Sequence, residues 1–335
     1  MRLPCRYLKL LMHPCVGSER SFSRDYGELS APVKTALCIP TLNAGPYAER
    51  LTAAIVSQTL QLETFLVIDS GSDDDTVVSF RQAGARVHLV DRREFNHGGT
   101  RQLGVDMLPD ADLIVFLTQD AVPAATNAFE RLVACFDDPG VGAAFGRQLP
   151  HSEAGHIQAH ARLFNYPDAS RIVTLGDRAT LGLKTVFLSN SFAAYRRADL
   201  LAVGGFPEHL ILGEDTYVAA KLLQSGKKIA YCAEARVFHS HNYTFSEEFR
   251  RYFDTGVLHA REPWIRGTFG GARGEGWRYL KSEIKYLLGA NPLLLPSAII
   301  RTALKLAGFR LGLQERVLPL RLKRCLSMFR FFWRA

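Results

Sequence analysis

From Lys34 onward the chain alternates short apolar runs with longer stretches of helical period. Residues 36–39, 65–68, 87–90 and 113–117 read as strands, and the segments between them as helices. Such alternation predicts a parallel sheet built from βαβ units, an α/β fold of Rossmann-like type with helices on its faces. Each of the four strands runs into polar or turn-forming residues: Pro40-Thr41-Leu42-Asn43, Asp69-Ser70-Gly71-Ser72, Asp91-Arg92-Arg93 and Thr118-Gln119-Asp120. Ligands of open α/β sheets bind outside the carboxyl ends of the strands, so these four ends mark the expected site.

Beyond Pro150 the pattern weakens. It resumes with an apolar run at 186–188, a helix beginning near Arg197, a helix over 215–224 and a strand over 228–232. After Phe245 the period is helical and the sequence is rich in aromatics and arginine. The expected organisation is a loosely ordered leader over 1–33, an α/β domain over 34–245 and a helical, basic region over 246–335.

Charge changes this picture in one place. The net charge is +8, yet residues 301–335 hold nine Lys/Arg and one acidic residue, which leaves 32 of each sign in residues 1–300. The body is neutral and the excess sits on the tail. Helical spacing there puts Leu318, Leu322, Cys325, Leu326, Phe329, Phe332 and Trp333 on one side and Lys323, Arg324, Arg330 and Arg334 largely on the other. That pattern predicts peripheral attachment to an anionic membrane surface, with no nucleic acid as partner. The uncharged run over 286–300 contains Pro292 and Pro296 and is 15 residues long, short of the ~20 a spanning helix needs. No transmembrane helix is predicted, and the N-terminal apolar stretch, broken by Lys9, is too short for a secretory signal. Six cysteines without a CxxC pair fit reduced thiols and a cytoplasmic location.

Several residue groups carry chemistry. Asp69 follows an apolar strand directly, where a carboxylate can accept the imide N–H of a uracil or thymine ring; Asp73 to Asp75 read as capping of the next helix. Asp120, at the end of the fourth strand, can help hold a divalent cation, Mg²⁺ or Mn²⁺, against a diphosphate. Glu214-Asp215 opens a helix, with one carboxylate free to act as a general base for a sugar hydroxyl and the other making structural hydrogen bonds. His239, after a helix and a strand that return the chain to the same sheet end, can complete the coordination sphere; His241 is left outside the ligand set. In Asn96-His97-Gly98-Gly99-Thr100-Arg101 the glycines would let backbone N–H groups approach a pyrophosphate, with Arg101 supplying charge.

Taken together, Ile39-Pro40-Thr41-Leu42-Asn43-Ala44-Gly45, Ile68-Asp69-Ser70-Gly71-Ser72, Phe95-Asn96-His97-Gly98-Gly99-Thr100-Arg101, Phe116-Leu117-Thr118-Gln119-Asp120, Gly204-Gly205-Phe206, Gly213-Glu214-Asp215 and Phe238-His239-Ser240-His241 resemble family 2 glycosyltransferases, and within them bacterial rhamnosyltransferases. The resemblance covers residues 34–245 in family order. It implies a GT-A fold, inversion at the anomeric carbon and dTDP-L-rhamnose as donor. It also implies a glycan or lipid-linked acceptor in cell-surface polysaccharide synthesis, at the inner face of the plasma membrane. Thr41, Asn43, Asp69, Gly98, Arg101 and Gln119 would bind the nucleotide-sugar, Asp120 and His239 the metal, and Asp215 with Glu214 would form the catalytic pair. Two departures stand out. Thr118 occupies the first carboxylate place of the family metal motif, which predicts modest metal affinity, and Gln102 stands where the family has Asn. A sugar nucleotidyltransferase would instead show a basic Gly-rich loop after the first strand, which Pro40-Thr41-Leu42-Asn43 lacks. A non-catalytic binding protein with a nucleic-acid-binding tail would show salt-dependent RNA binding and no donor hydrolysis.

Overall fold

The structure is a computed structural model that describes residues 33–271 and 274–333. The leader expected over 1–33 lies, but for Val33, outside the described residues. Residues 33–335 form one compact unit. The strands are β1 (Thr35–Thr41), β2 (Thr64–Asp69), β3 (Arg86–Leu89), β4 (Leu113–Leu117), β5 (Val122–Pro123), β6 (Val141–Leu149), β7 (Arg171–Val173), β8 (Phe192–Arg196) and β9 (Lys228–Phe238). The helices before β6 are α1 (Gly45–Val56), α2 (Thr76–Gln82), α3 (His97–Asp106) and α4 (Ala128–Val133). Those of the second half are α5 (His156–Asn165), α6 (Arg178–Leu181), α7 (Arg197–Ala202), α8 (Glu214–Gln224), α9 (Phe245–Arg261), α10 (Pro263–Phe269), α11 (Glu275–Ala290), α12 (Leu295–Leu313) and α13 (Leu320–Leu326).

The sheet runs β3-β2-β1-β4-β8-β6-β9-β5, with β7 also pairing β9. Its first four strands are parallel, as the βαβ pattern requires, with Thr41 opposite Asp69 at the strand ends. The second half is mixed: β8 is antiparallel to both β4 and β6, while β6 and β9 are parallel. Alternating side chains explain why the middles of β1 and β2 and the whole of β4 are apolar. Cys38, Ile68 and Phe116 enter the core on one face, and Ile39, Val67 and Val115 the core on the other. The apolar run at 186–188 is not a strand: Gly182–Val186 is a 3-10 turn, and the strand lies later, at β8.

The C-terminal region packs on this domain. α12 lies along α9 through glycines, for a Cβ on Gly308 would meet the Phe249 carbonyl at 2.4 Å and one on Gly256 the Phe309 carbonyl at 2.3 Å. Pro292–Leu313 is long and apolar enough to cross a membrane by length and composition, contrary to the sequence expectation. Its Arg301 and Lys305, however, pair with buried Glu248 of α9, at 3.2 and 3.6 Å.

The tail stripe is also corrected. α13 lasts only seven residues, and the Asp254 carboxylate then accepts the N–H groups of Met328 (2.8 Å) and Phe329 (3.4 Å), which turns the chain inward. Leu318, Leu326, Phe329, Phe332 and Trp333 thereby pack with Ile211, Phe253 and Val257. Leu322 and Cys325 face out. The face assigned to a membrane is spent on the protein core.

Candidate active site

The β1–α1 and β2–α2 loops lock together around Asp69. Its Oδ2 accepts the Thr41 hydroxyl (2.9 Å) and the Ser72 hydroxyl (2.5 Å), and its Oδ1 accepts Gly71 N–H (3.1 Å) and Ser72 N–H (2.8 Å). Asp69 and Thr41 are fully buried, so this carboxylate shapes the loop rather than presenting a free oxygen. Asn43, in the left-handed region at φ 51°, accepts Asp73 N–H through Oδ1 and donates its own N–H to Ser72. Gln119 bonds both ways to the Leu42 peptide, at 2.7 and 2.9 Å, and ties the β4 end to the same loop. Asp74 accepts Thr76 N–H at the start of α2 and Gly45 N–H at the start of α1, whereas Asp75, the N-cap residue of α2, makes no side-chain cap bond.

The glycine segment has a different job from the one its composition suggests. Asn96 Oδ1 already accepts Gly98 N–H (3.0 Å) and Gly99 N–H (2.8 Å) at the start of α3. A Cβ on Gly98 would meet the Pro207 carbonyl at 1.8 Å, so this glycine permits close packing of the 204–208 loop. Arg101 is buried and places Nη1 3.0 Å from Glu214 Oε1 and 2.9 Å from the His97 carbonyl. It is therefore a partner of the acidic pair at the start of α8, not a cation facing solvent.

That pair is asymmetric. Burial would raise the Glu214 carboxyl, but the Arg101 guanidinium, with lesser help from His97 and Asn190, holds it below the ordinary value. Asp215 is pushed up to about 6, first by burial and next by the Glu214 charge. Asn190 spans both: its side-chain amide donates to Glu214 Oε1 (3.0 Å) and its backbone N–H to Asp215 Oδ2 (3.3 Å), while the Tyr195 hydroxyl donates to its Oδ1 (2.6 Å). The result is a carboxylate poised near neutrality on a fixed mount.

At the end of β4, Asp120 Oδ2 lies 3.4 Å from His239 Nε2 and 3.5 Å from His241 Nε2. One oxygen and two ring nitrogens lie within 4.8 Å of one another. Gln148 sets the tautomer. Its Oε1 accepts from Arg162, so at 2.8 Å the His239 Nδ1 must carry the proton, which leaves Nε2 as a bare donor atom turned toward Asp120. Burial lowers both histidines below the ordinary value, His241 to about 4. One carboxylate oxygen and two imidazole nitrogens at this spacing fit a divalent cation whose remaining positions phosphate oxygens can fill. His241 joins the set and offsets the carboxylate lost at Thr118. Gln148 and Asn190 carry no motif and were not legible as functional.

The segment 189–191 connects the two clusters. Ser189 Oγ accepts Gln148 Nε2 (3.0 Å), and Asn190 holds Asp215. A strand-end carboxylate loop, a cation-competent cluster and a tuned carboxylate on one mixed α/β sheet define the GT-A class of sugar transferase. Residues 36–204 match the glycosyl transferase family 2, and the chain belongs to that family. It is 50% identical over 302 residues to the O-antigen chain rhamnosyltransferase RfbN of Salmonella typhimurium, covering 90% of this chain and 96% of the other. To the O-antigen chain rhamnosyltransferase WbaN of Salmonella anatum it is 48% identical over 298 residues, covering 89% and 95%. Among solved structures, the Pyrobaculum calidifontis mannosyltransferase PcManGT in complex with GDP-Man and Mn²⁺ superposes with a TM-score of 0.53 at 20% identity, covering 90% and 84%. The S. aureus TarS 1-349 structure gives 0.51 at 16%, covering 85% and 91%.

Proposed function

We propose that this glycosyltransferase moves L-rhamnose from dTDP-L-rhamnose to a hydroxyl of a lipid-linked glycan during O-antigen synthesis, with inversion at the anomeric carbon, on the cytoplasmic side of the membrane. The observation that carries the chemistry is the mechanical link, through Ser189 and Asn190, between the raised Asp215 carboxylate and the Asp120, His239 and His241 cluster. The choice of sugar rests on the 50% identity to a rhamnosyltransferase over most of both chains.

In this reading Asp215 accepts the acceptor hydroxyl proton as that oxygen attacks the anomeric carbon from the face opposite the nucleotide, and the bond to the diphosphate breaks. Asp120, His239 and His241 would hold Mg²⁺ or Mn²⁺, which neutralises the charge that builds on the departing diphosphate. Arg101 does not touch the donor; it keeps Glu214 ionised, and Glu214 in turn keeps Asp215 basic enough to take a proton. Thr41, Asn43, Asp69 and Gln119 hold the shape of the nucleotide-side loops. The test is hydrolysis without acceptor: purified protein releases dTDP from dTDP-L-rhamnose faster than UDP from UDP-sugars. Equal or reversed rates would remove rhamnose from the account.

A further inference from the structure

The outward face of α12 and the turn before it present a surface that the tail stripe does not. Leu293 is 87% exposed, Ile299 57%, Ile300 50% and Leu306 50%. Pro296 and Ala303 are exposed at the same helical spacing, so one stripe from Pro292 to Leu306 is apolar throughout. The cations of this helix segment, Arg301 and Lys305, point the other way and pair with Glu248. This inverts the usual order for a surface helix, in which the apolar stripe faces the protein and the charges face water.

We propose that this stripe lies on an anionic lipid bilayer, with the axis of α12 in the plane of the headgroups. A spanning orientation would require α12 to leave α9. The contacts at Gly256, Gly308 and Gly312 allow no spacing between the two helices, and departure would strand Glu248 without its two cations. An interfacial orientation keeps both and buries only the exposed stripe.

Charge selects the occupant. Lys281, Lys285, Arg310 and Arg316 are exposed on α11, at the end of α12 and just past it, and none pairs with a carboxylate of a described residue. Trp277, exposed on the same face of α11 as Lys281, adds an amphipathic anchor. The described carboxylates from 275 onward are Glu275, Glu283 and Glu315. Glu275 pairs with Lys184 and Arg278, Glu315 with Arg261 and Lys323, and Glu283 is buried against Tyr279. Arg310, one helical turn beyond Leu306, extends the stripe with an exposed cation that a second copy would set against its like, whereas anionic headgroups complement it. The proposal is independent of the chemistry at Asp215.

The experiment is co-sedimentation of the full chain with phosphatidylglycerol–phosphatidylcholine vesicles and with phosphatidylcholine alone. Wild type is expected to partition on the order of 10-fold or more in favour of the anionic vesicles. The combined Ile299→Ser, Ile300→Ser, Leu306→Ser variant loses binding to both by a similar factor. The combined Lys281→Gln, Lys285→Gln, Arg310→Gln variant loses the anionic preference. All six positions lie outside the site, so melting temperature and dTDP-rhamnose hydrolysis in solution report whether the variants are folded. Vesicle binding by the serine variant equal to wild type overturns the proposal. So does wild-type protein that binds neither vesicle, or a serine variant whose only change is lost self-association by light scattering.

Discussion

Arg101 and Glu214 form a 3.0 Å ion pair in which both side chains are almost sealed from water, although 113 positions separate them in sequence. The pair fixes the charge beside Asp215. Removing one partner leaves the other buried and uncompensated, so Arg101→Met is expected to lower unfolding stability by about 3–5 kcal/mol in denaturant titration. Adding Glu214→Gln should recover part of that loss. If Arg101 instead served the donor phosphates, the single variant would raise the donor KM with little change in stability.

The Asp215 carboxyl, raised to about 6 by burial and by Glu214, is expected to set the acid limb of activity. A base must be unprotonated to act, so kcat/KM is expected to fall about tenfold per unit as pH drops below 6. Glu214→Gln removes the neighbouring negative charge and leaves Arg101 unopposed. Both changes lower the Asp215 value, so the limb moves to lower pH in this variant. A limb that stays in place would separate Glu214 from the tuning of the base.

The cation cluster predicts dependence on residues beyond its ligands. Gln148→Leu frees the His239 ring to change tautomer and orientation, which should weaken Mn²⁺ binding about 10–100-fold by calorimetry. Asp120→Ala and His239→Ala remove ligands and should abolish measurable binding under the same conditions. Unaltered Mn²⁺ affinity in all three variants would place the metal elsewhere.

The tail acts as a part of the fold. Trp333 is buried on Phe253, with Arg261 and Lys323 over its ring. Trp333→Ala is expected to cost about 3–5 kcal/mol, read as a lower denaturant midpoint, and to leave vesicle partitioning unchanged. Lost vesicle binding with unchanged stability would return the anchoring role to the tail.

The parallel half of the fold was legible because β1, β2 and β4 are buried on both faces and therefore carry continuous apolar runs. β8 escaped notice because Phe192 and Tyr195 flank Ala193-Ala194 in a five-residue strand with no β-branched residue. In the site, Asp120, His239 and Asp215 were readable as polar residues at element ends. The contacts of Arg101 with Glu214 and of Gly98 with Pro207 were not readable, because these partners come from more than 100 residues away. Asn190 and Gln148 act through one or two long-range hydrogen bonds each, and no local pattern marks such residues. The tail stripe failed at Ser327, where the helix that its spacing assumes has already ended.

Asp215 is proposed as the base of a single displacement. That role is tested most directly by the rate of rhamnose transfer by Asp215→Asn at saturating dTDP-L-rhamnose, alongside donor affinity measured by calorimetry. The amide keeps the shape and its hydrogen bond from Asn190 but cannot take a proton. A fall of about 10²–10⁴ in kcat with donor affinity within a few-fold of wild type is the expected result. Turnover near the wild-type rate would contradict it.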